Sequence, residues 1–213
     1  MLIREVMTTN VVSIPSDTSL AEARRILDFH KFRRIPVVDR TKLVGLVSRD
    51  GLDKAGPSRL TTFSIHELTH LLSKITVKEV MTTDLLTVSP DATVEEAVAL
   101  AQDRQVGSAL VVEDGVLVGI STTNDFFYKI VNPMLGIGKP GSRISIHSCG
   151  SASEVARVLA TIDGLGVVVD SLFTVPHPET GVHDLTLHLE TGDPTVAVEE
   201  LRKQGWEVHS RAR

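Results

Sequence analysis

The strongest constraint on the fold is an internal repeat: one unit of the sequence occurs twice, at a constant spacing of 74 residues. The stretch REVMTTNVVSIPSDTSLAEARRI, which begins at Arg4, matches KEVMTTDLLTVSPDATVEEAVAL, which begins at Lys78. The match continues without a gap and places Gly45 over Gly119. A unit of about 50 residues cannot cover its own sheet face, so we expect the two copies to pack together with pseudo-two-fold symmetry.

Both copies predict the same order of elements: an extended entry, a helix, two strands and a second helix. Ser19 and Glu22 have the spacing of a capping box at the start of the first helix, and Thr93 and Glu96 repeat it in the second copy. A turn then separates two apolar strands in each copy, and in the second copy this turn contains Gly115. These patterns predict an α/β (α+β) protein.

Composition and charge argue against several classes of protein. With 42% apolar and 23% charged residues, the chain has the composition of a folded globular protein. The net charge of -5, without a long run of Lys or Arg, argues against binding of a nucleic acid polymer. Cys149 has no partner for an internal disulfide, the N-terminal residues lack a signal-peptide pattern, and no apolar run reaches the length of a membrane span. We therefore predict a cytoplasmic protein without a membrane partner.

Several motifs that recur in both copies resemble a known family. The paired EVMTT entries, RRIPVVD, LVGLVS and LVGISTTND resemble tandem CBS motifs, the Bateman module, over roughly residues 1–132. The connecting SIHELTHLLSKITVKEVM, together with the C-terminal third of the chain, is similar to the acetoin-utilisation type of protein, in which a CBS pair precedes an ACT-like domain. The predicted domains are CBS motif 1 at 1–60, a connecting helix at 61–76, CBS motif 2 at 77–132, a linker at 133–142 and an ACT-like domain at 143–213.

The residues after the last strand of the second copy have the pattern of a nucleotide site. A predicted strand at 117–121 leads into Thr122-Thr123-Asn124-Asp125. A helix start offers N–H groups and a threonine hydroxyl to phosphate, and an aspartate can accept hydrogen bonds from both hydroxyls of a ribose. The same Thr-x-x-Asp spacing fits a simple helix cap, so the residues alone leave both interpretations open. The CBS resemblance implies that Asp125 holds ribose, that the Thr122 hydroxyl meets phosphate, and that adenine lies between apolar residues. By position, those residues are Ala92, Val106, Gly107, Ser108 and Ile120.

The first copy departs from this pattern. Ser48 retains the hydroxyl, but Gly51 stands where the second copy has Asp125, and the carboxylate of Asp50 comes one position early. A helix turns by about 100° per residue, so that carboxylate is expected to point elsewhere. Losing a hydrogen bond to a charged group costs about 1.5–3 kcal/mol, or about 10- to 100-fold in affinity. We therefore expect the second cleft to bind more tightly. Two further candidates for phosphate contacts, which also fit a solvated edge, are Arg33 and Arg34.

The stretch His66-Glu67-Leu68-Thr69-His70 satisfies the H-E-x-x-H pattern of zinc peptidases. A zinc site also needs a third protein ligand, and the next residues along the chain carry neither the Gly nor the His of the extended signature. Ser64 and Glu67 have capping-box spacing, and the apolar residues around them form a helical stripe. The sequence favours a connecting helix, with no metal.

The C-terminal third predicts a separate domain. After the Gly/Pro-rich stretch at 131–142, the pattern indicates the order β-α-β-β-α-β of a ferredoxin-like sandwich. The predicted elements are strand 143–147, helix 153–162, strands 166–175 and 184–190, a helix to Gln204 and strand 206–210. This domain is similar to an ACT domain, although His147 and Cys149 replace the Asp and Pro of the usual Asp-x-Pro-Gly stretch. Pairing with a second copy is therefore the alternative to amino-acid binding. The histidines without chelating spacing are His177, His183, His188 and His209.

These patterns predict a non-catalytic regulatory protein. Its CBS pair is expected to bind an adenine nucleotide or related ligand, namely AMP, ADP, ATP or S-adenosylmethionine, with no cofactor. We expect a homodimer that acts on a regulated enzyme or another protein, and the resemblance implies a link to acetoin or related carbon metabolism. Two alternatives remain: a structural dimerisation module with empty clefts, and a zinc hydrolase using the pattern at residues 66–70.

Overall fold

The computed structural model describes residues 1–55 and 74–212. It divides into two compact units, Met1–Phe126 and Phe127–Arg213. The H-E-x-x-H pattern and most of the predicted connecting helix lie outside the described residues. Within the described ranges, no helix combines the length and the apolar character that a membrane crossing requires.

The N-terminal unit holds both copies of the repeat around one five-stranded sheet, ordered β1-β2-β5-β4-β3. The helices are α1 (Ile3–Val6), α2 (Leu20–His30), α3 (Arg49–Ala55), α4 (Val94–Asp103) and α5 (Thr123–Phe126). The strands are β1 (Arg34–Asp39), β2 (Lys42–Ser48), β3 (Thr87–Val88), β4 (Ser108–Glu113) and β5 (Val116–Thr122). The predicted caps are confirmed: the Ser19 hydroxyl accepts a hydrogen bond from the Glu22 N–H, and Thr93 does the same for Glu96, each at 3.2 Å.

The two hairpins repeat each other residue for residue. Every partner pair between β1 and β2 recurs 74 residues later between β4 and β5, so that Arg34 faces Ser48 and Ser108 faces Thr122. Both hairpins also contain a β-bulge at the same place, after Val37 in the first copy and at the equivalent position in the second. The repeat in the sequence is therefore a repeat in backbone structure.

The entry segments of the two copies are exchanged. Thr8 of the first copy pairs with Ile120 of the second through two backbone hydrogen bonds of 2.9 and 3.0 Å. Thr82 of the second copy pairs with Leu46 of the first through two bonds of 2.9 Å. Each hairpin is thus completed by residues of the other copy, which confirms that the copies fold against each other.

The apolar stripe of α2 packs on the first hairpin to form the core of the first copy. Leu20 and Leu27 are each 1% exposed, and Ala23 between them is fully buried. Such burial stabilises by about 25 cal/mol per Å² of apolar surface. The buried residues of this cluster are Ile14, Leu20, Ala23, Leu27, Ile35, Val37, Val47, Leu52 and Val77.

The C-terminal unit has the predicted order β-α-β-β-α-β. Its elements are a π-helical turn (Phe127–Val131), α6 (Asn132–Met134), β6 (Ser142–Ile146), α7 (Ala152–Gly164), β7 (Val169–Pro176), β8 (His183–Leu189), α8 (Thr195–Lys203) and β9 (Val208–Ala212). The strands are antiparallel in the order β7-β8-β6-β9, which is the ferredoxin-like arrangement. The core lies between the sheet and the two long helices, and its buried members are Ile144, Ile146, Cys149, Val158, Ile162, Leu185, Leu187, Leu189, Ala197, Val198, Leu201 and Val208.

Two strands begin later than the sequence predicts, for the same reason. Gly166 adopts φ of +68°, and the Val167 N–H donates to the Ile162 carbonyl, so these residues close α7 before β7 starts. Gly205, with φ of +89°, and the Trp206 N–H close α8 in the same way. Residues that alternate like a strand are therefore used as helix ends.

Glu154 gives the C-terminal unit an acid-sensitive contact. Its Oε2 accepts hydrogen bonds from the Ser151 hydroxyl at 2.7 Å, the Ser151 N–H at 2.9 Å and the Gly150 N–H at 3.2 Å. The bonds from Ser151, followed by that from Gly150, hold the pKa of Glu154 below its ordinary value of 4.5. Because the pKa is lower in the folded state, this contribution to stability is present above the ordinary value and is lost as the pH falls through the lowered one.

We expect Glu154→Gln to be less stable than wild type near neutral pH and to lose less stability on acidification, because the charged acceptor is gone. Urea unfolding followed by fluorescence of Trp206, the single tryptophan of the chain, measures this at neutral pH and at about pH 3. Glu199→Gln, which alters an exposed carboxylate on α8, is the control and should retain the wild-type pH dependence. Parallel pH curves for Glu154→Gln and wild type would contradict the assignment.

Candidate functional site

The carboxylate of Asp125 lies where the two copies of the repeat meet. Its side chain is on α5, directly after β5, and the residue is 9% exposed. Oδ2 accepts hydrogen bonds from the Thr122 hydroxyl at 2.7 Å and from the Thr122 N–H at 2.9 Å. Oδ1 accepts a hydrogen bond from the Thr8 hydroxyl at 2.9 Å. The helix-cap interpretation of Thr122 and Asp125 is therefore correct as geometry, and it leaves open a second role for the carboxylate.

The contact with Thr8 follows from the exchange of entry segments. The backbone of Thr8 is bound to Ile120 on β5, and this places its hydroxyl beside the residues that come after β5. The hydroxyl donates across the boundary between the two copies, because Thr8 belongs to the first and Asp125 to the second. The sequence patterns did not identify Thr8 as a site residue, although its place in the repeated EVMTT entry was a usable signal.

The equivalent place in the first copy lacks this carboxylate. The Gly51 N–H donates to the Ser48 hydroxyl at 3.0 Å, which reproduces the cap at the start of α3. The Asp50 side chain is exposed to solvent, unlike the buried Asp125. The two sites of the pair therefore differ chemically, although their backbones match.

A cationic group from the first copy lies beside the second site. A methyl group in place of the Gly107 hydrogen would be 3.4 Å from both terminal nitrogens of Arg34 and 3.5 Å from the Thr123 hydroxyl oxygen. The Thr123 hydroxyl donates to the Gly107 carbonyl at 3.4 Å. A guanidinium and a hydroxyl thus converge on Gly107, and Thr123 precedes Asp125 on the same short helix, α5. The neighbouring Arg33 is exposed.

The remaining predicted residues are only partly brought together. Ser108 is 7% exposed and faces Thr122 across the hairpin, and the half-buried Ile120 pairs with the Thr8 segment. Val106 is 41% exposed at the end of α4. Ala92 lies before α4, where its carbonyl accepts a hydrogen bond of 2.9 Å from the Ile3 N–H. The geometry therefore groups the ribose and phosphate candidates more closely than the adenine candidates.

A groove of about 530 Å³ lies at the turn end of the two hairpins, away from Asp125. Its lining consists of Thr9, Val11, Ser13, Val38, Arg40, Thr41, Val116 and Leu117. None of the predicted nucleotide-binding residues is in this lining. The chemistry of Asp125, and not the shape of this groove, identifies the candidate site.

A family model described as the CBS domain matches residues 3–57 and 77–132, which together make up more than half of the chain. The chain belongs to the CBS domain family. The two matched segments are the two copies of the repeat, so the CBS pair predicted from the sequence is confirmed. Within this CBS pair, Asp125 belongs to the second motif and Thr8 to the first.

Relatives share the CBS pair within different proteins. An inosine-5′-monophosphate dehydrogenase from Korarchaeum cryptofilum is 28% identical over 161 residues, and the match covers 75% of this chain and 30% of the enzyme. The chain thus spans less than a third of that enzyme's length.

Two solved structures share the fold at useful identity. A protein assigned to acetoin utilization (AcuB) from Vibrio cholerae is 29% identical, with a TM-score of 0.52 over 62% of this chain and 91% of that chain. The CBS domain pair of protein MJ0100, solved in complex with 5′-methylthioadenosine and S-adenosyl-L-methionine, is 25% identical. Its TM-score is 0.51 over 62% of this chain and 97% of that chain.

Proposed function

We propose that this CBS pair binds an adenosine-containing ligand at Asp125 and that the chain is a regulatory protein without catalytic activity of its own. The observation that carries the proposal is the buried Asp125 carboxylate, which accepts hydroxyl hydrogen bonds from both copies at their boundary. The likeness to the MJ0100 pair, which was solved with two adenosine compounds, supports this class of ligand.

The hydrogen bonds of Asp125 match those of a ribose. The carboxylate already accepts from two hydroxyl groups, on Thr8 and Thr122, and a ribose presents two adjacent hydroxyl groups of the same kind. A ribose can therefore replace these donors while the carboxylate keeps its hydrogen bonds. Hydrogen bonds to an ionised acceptor are stronger than neutral ones, so the exchange places the sugar at a strong acceptor.

An anionic part of the ligand would lie near Arg34. The guanidinium of Arg34 and the hydroxyl of Thr123 converge on Gly107, and both are donors suited to phosphate or carboxylate oxygens. AMP, ADP and ATP carry phosphate, and S-adenosylmethionine carries a carboxylate. The geometry thus supports the class of ligand but favours no member of it.

Ligand binding at Asp125 would act on the contact between the copies. Thr8 belongs to the exchanged entry segment, so a ligand that displaces its hydroxyl removes a hydrogen bond between the first and second motifs. A ligand shifts an equilibrium between two arrangements only when it binds one of them more tightly. Loss of this hydrogen bond is such a difference.

The ferredoxin-like unit is, in this proposal, an ACT-like domain that forms a homodimer and conveys the bound state to an enzyme or another protein. Its sheet order and its βαββαβ sequence of elements support this assignment. The 29% identity with the Vibrio cholerae protein supports a role in acetoin or related carbon metabolism within the cytoplasm.

Calorimetric titration with AMP, ADP, ATP and S-adenosylmethionine tests the binding site. We expect at least one of these compounds to bind the wild type, and Asp125→Asn and Asp125→Ala to weaken that binding by about 10- to 100-fold, because a charged acceptor is lost. Asp125→Asn keeps the side-chain shape and one acceptor oxygen, which limits damage to the cap of α5.

Asp50→Ala is the matched control, because it removes an exposed carboxylate one position from the equivalent place in the first motif. We expect this variant to bind as the wild type does. Circular dichroism melting curves establish that each variant is folded at the titration temperature. Equal affinities for wild type and Asp125→Asn would refute the site, and failure of all four compounds to bind would favour a structural module with empty clefts.

A further inference from the structure

Two histidines and a glutamate meet on the polar face of the C-terminal sheet. One imidazole nitrogen each from His147 and His209 and a carboxylate oxygen of Glu207 all lie within 4.8 Å of one another. The two imidazole rings have centroids 4.9 Å apart and stand nearly perpendicular. Nε2 of His209 is 3.6 Å from a carboxylate oxygen of Glu207. Three groups that commonly bind metals therefore converge from two strands.

The antiparallel pairing of β6 with β9 produces this cluster. Ile146 pairs with Val208, and the next residue, His147, donates its N–H to the Glu207 carbonyl at 3.0 Å. Ile146 and Val208 point into the core, so their neighbours point to the opposite face. His209, one residue beyond Val208, is on that face as well. The cluster was hidden in the sequence because its residues are brought together only by this register.

A fourth residue holds one of the imidazoles in place. Oδ2 of Asp184 is 3.2 Å from Nδ1 of His147, while Oδ1 accepts a hydrogen bond of 3.0 Å from the Ser148 N–H. Histidines that bind metals through one ring nitrogen typically donate the other N–H to a carboxylate or carbonyl. Asp184 provides that second contact and leaves Nε2 of His147 for a ligand.

We propose that His147, His209 and Glu207 bind a divalent transition-metal ion of the zinc type, with Asp184 as a positioning residue. Two imidazoles and one carboxylate suit Zn²⁺, whereas Ca²⁺ and Mg²⁺ prefer oxygen ligands throughout. Three protein ligands leave one position of a tetrahedral ion for water or another group.

The cluster needs only a small adjustment to reach metal-binding distances. With bonds of about 2.0–2.1 Å, the ligand atoms of a tetrahedral zinc ion lie about 3.3–3.5 Å apart. The side chains of Glu207 and His209 are 74% and 67% exposed and can rotate toward His147 without disturbing the core. His147, which is 34% exposed and held by Asp184, is the fixed member of the set.

Isothermal titration of the full chain with Zn²⁺ in a buffer that does not bind the metal tests the proposal. We expect one ion per chain for the wild type. Both His209→Ala and Glu207→Gln, which alter exposed side chains, should weaken binding at least about 10- to 100-fold, the effect known for outer partners of metal ligands. Asp184→Asn is expected to weaken binding by about 10-fold while leaving one ion per chain.

Two control variants separate this site from other histidines. His177→Ala removes a histidine of the same unit that lies outside the cluster, and it should bind Zn²⁺ as the wild type does. A double change of His66→Ala and His70→Ala should also leave this binding intact. Melting curves with and without Zn²⁺ provide a second readout, since an ion that binds only the folded state raises the melting temperature of wild type but not of His209→Ala. The proposal is overturned if His209→Ala and Glu207→Gln bind like wild type, or if only the double variant loses the ion.

Discussion

Gly119→Val is expected to lower the free energy of unfolding of the N-terminal unit by about 2–3 kcal/mol, the upper part of the range for overpacking. A Cβ atom on Gly119 would lie 2.5 Å from Sδ of Met7 and 3.3 Å from the carbonyl oxygen of Thr8. The Met7 side chain can move, but the Thr8 carbonyl accepts a hydrogen bond of 3.0 Å from the Ile120 N–H and is fixed. Valine adds two further methyl groups at this place, so the exchanged entry segment must separate from β5.

The first copy provides a matched variant for this prediction. A Cβ atom on Gly45 would lie 2.3 Å from Sδ of Met81, so Gly45→Val should destabilise the unit by a similar amount. In a Gly119→Val background, Met7→Ala should recover part of the loss, because it removes the nearest colliding atoms. Urea unfolding followed by far-UV circular dichroism measures these differences.

Gly192→Val is the control, because nothing lies within 4 Å of a Cβ atom at that position. It should leave the unfolding curve near that of wild type. A Gly119→Val protein as stable as Gly192→Val would show that the entry segment does not press on β5. That result would remove the packing basis of the exchange and, with it, the reason for placing Thr8 beside Asp125.

Gly141→Ala is expected to destabilise the C-terminal unit by about 3–5 kcal/mol, since a strained backbone and a collision each cost about 1–3 kcal/mol. Gly141 has φ of +125°, a conformation that L side chains rarely adopt. A Cβ atom there would lie 2.1 Å from the Leu189 carbonyl oxygen. The chain cannot shift to relieve this, because the next residue, Ser142, is fully buried and its hydroxyl donates to the Thr191 carbonyl at 2.7 Å.

Gly138→Ala separates the two causes of this loss. Gly138 is in the same segment and has φ of +84°, but nothing lies within 4 Å of its Cβ position. It should therefore cost only the strain of a left-handed conformation, about 1–2 kcal/mol. Urea unfolding followed by Trp206 fluorescence reports on this unit, because Trp206 packs against its core. Equal, small losses for both variants would mean that the strand entry at Ser142 is not fixed by its neighbours.

The part of the fold that the sequence predicts well is the part controlled by neighbouring residues. Ser19 and Thr93 start their helices as expected, because a cap depends on atoms three residues away. Alternating apolar residues likewise predict the hairpins, and a constant offset predicts that both copies share one register. The strand limits near Gly166 and Gly205 are wrong because these glycines close helices, and alternation does not distinguish a helix end from the start of a strand.

For the candidate site, the sequence identified the ends of the second hairpin and their difference from the first. Thr122, Asp125 and Gly51 stand in a repeated pattern, so their equivalence could be read from the offset alone. It did not predict which groups surround them. The Thr8 hydroxyl and the Arg34 guanidinium come from distant parts of the first copy.

The sequence by itself therefore determined that two equivalent units exist, which elements they contain, and that only the second carries a carboxylate at the Asp125 position after its hairpin. The tertiary structure alone decided that the entry segments are exchanged, and so that Asp125 accepts hydrogen bonds from both copies. It also decided that His147 meets His209 through the register of β6 and β9. The physical reason is range: caps and alternation act between near neighbours, whereas these contacts depend on which distant strands pair and in what register.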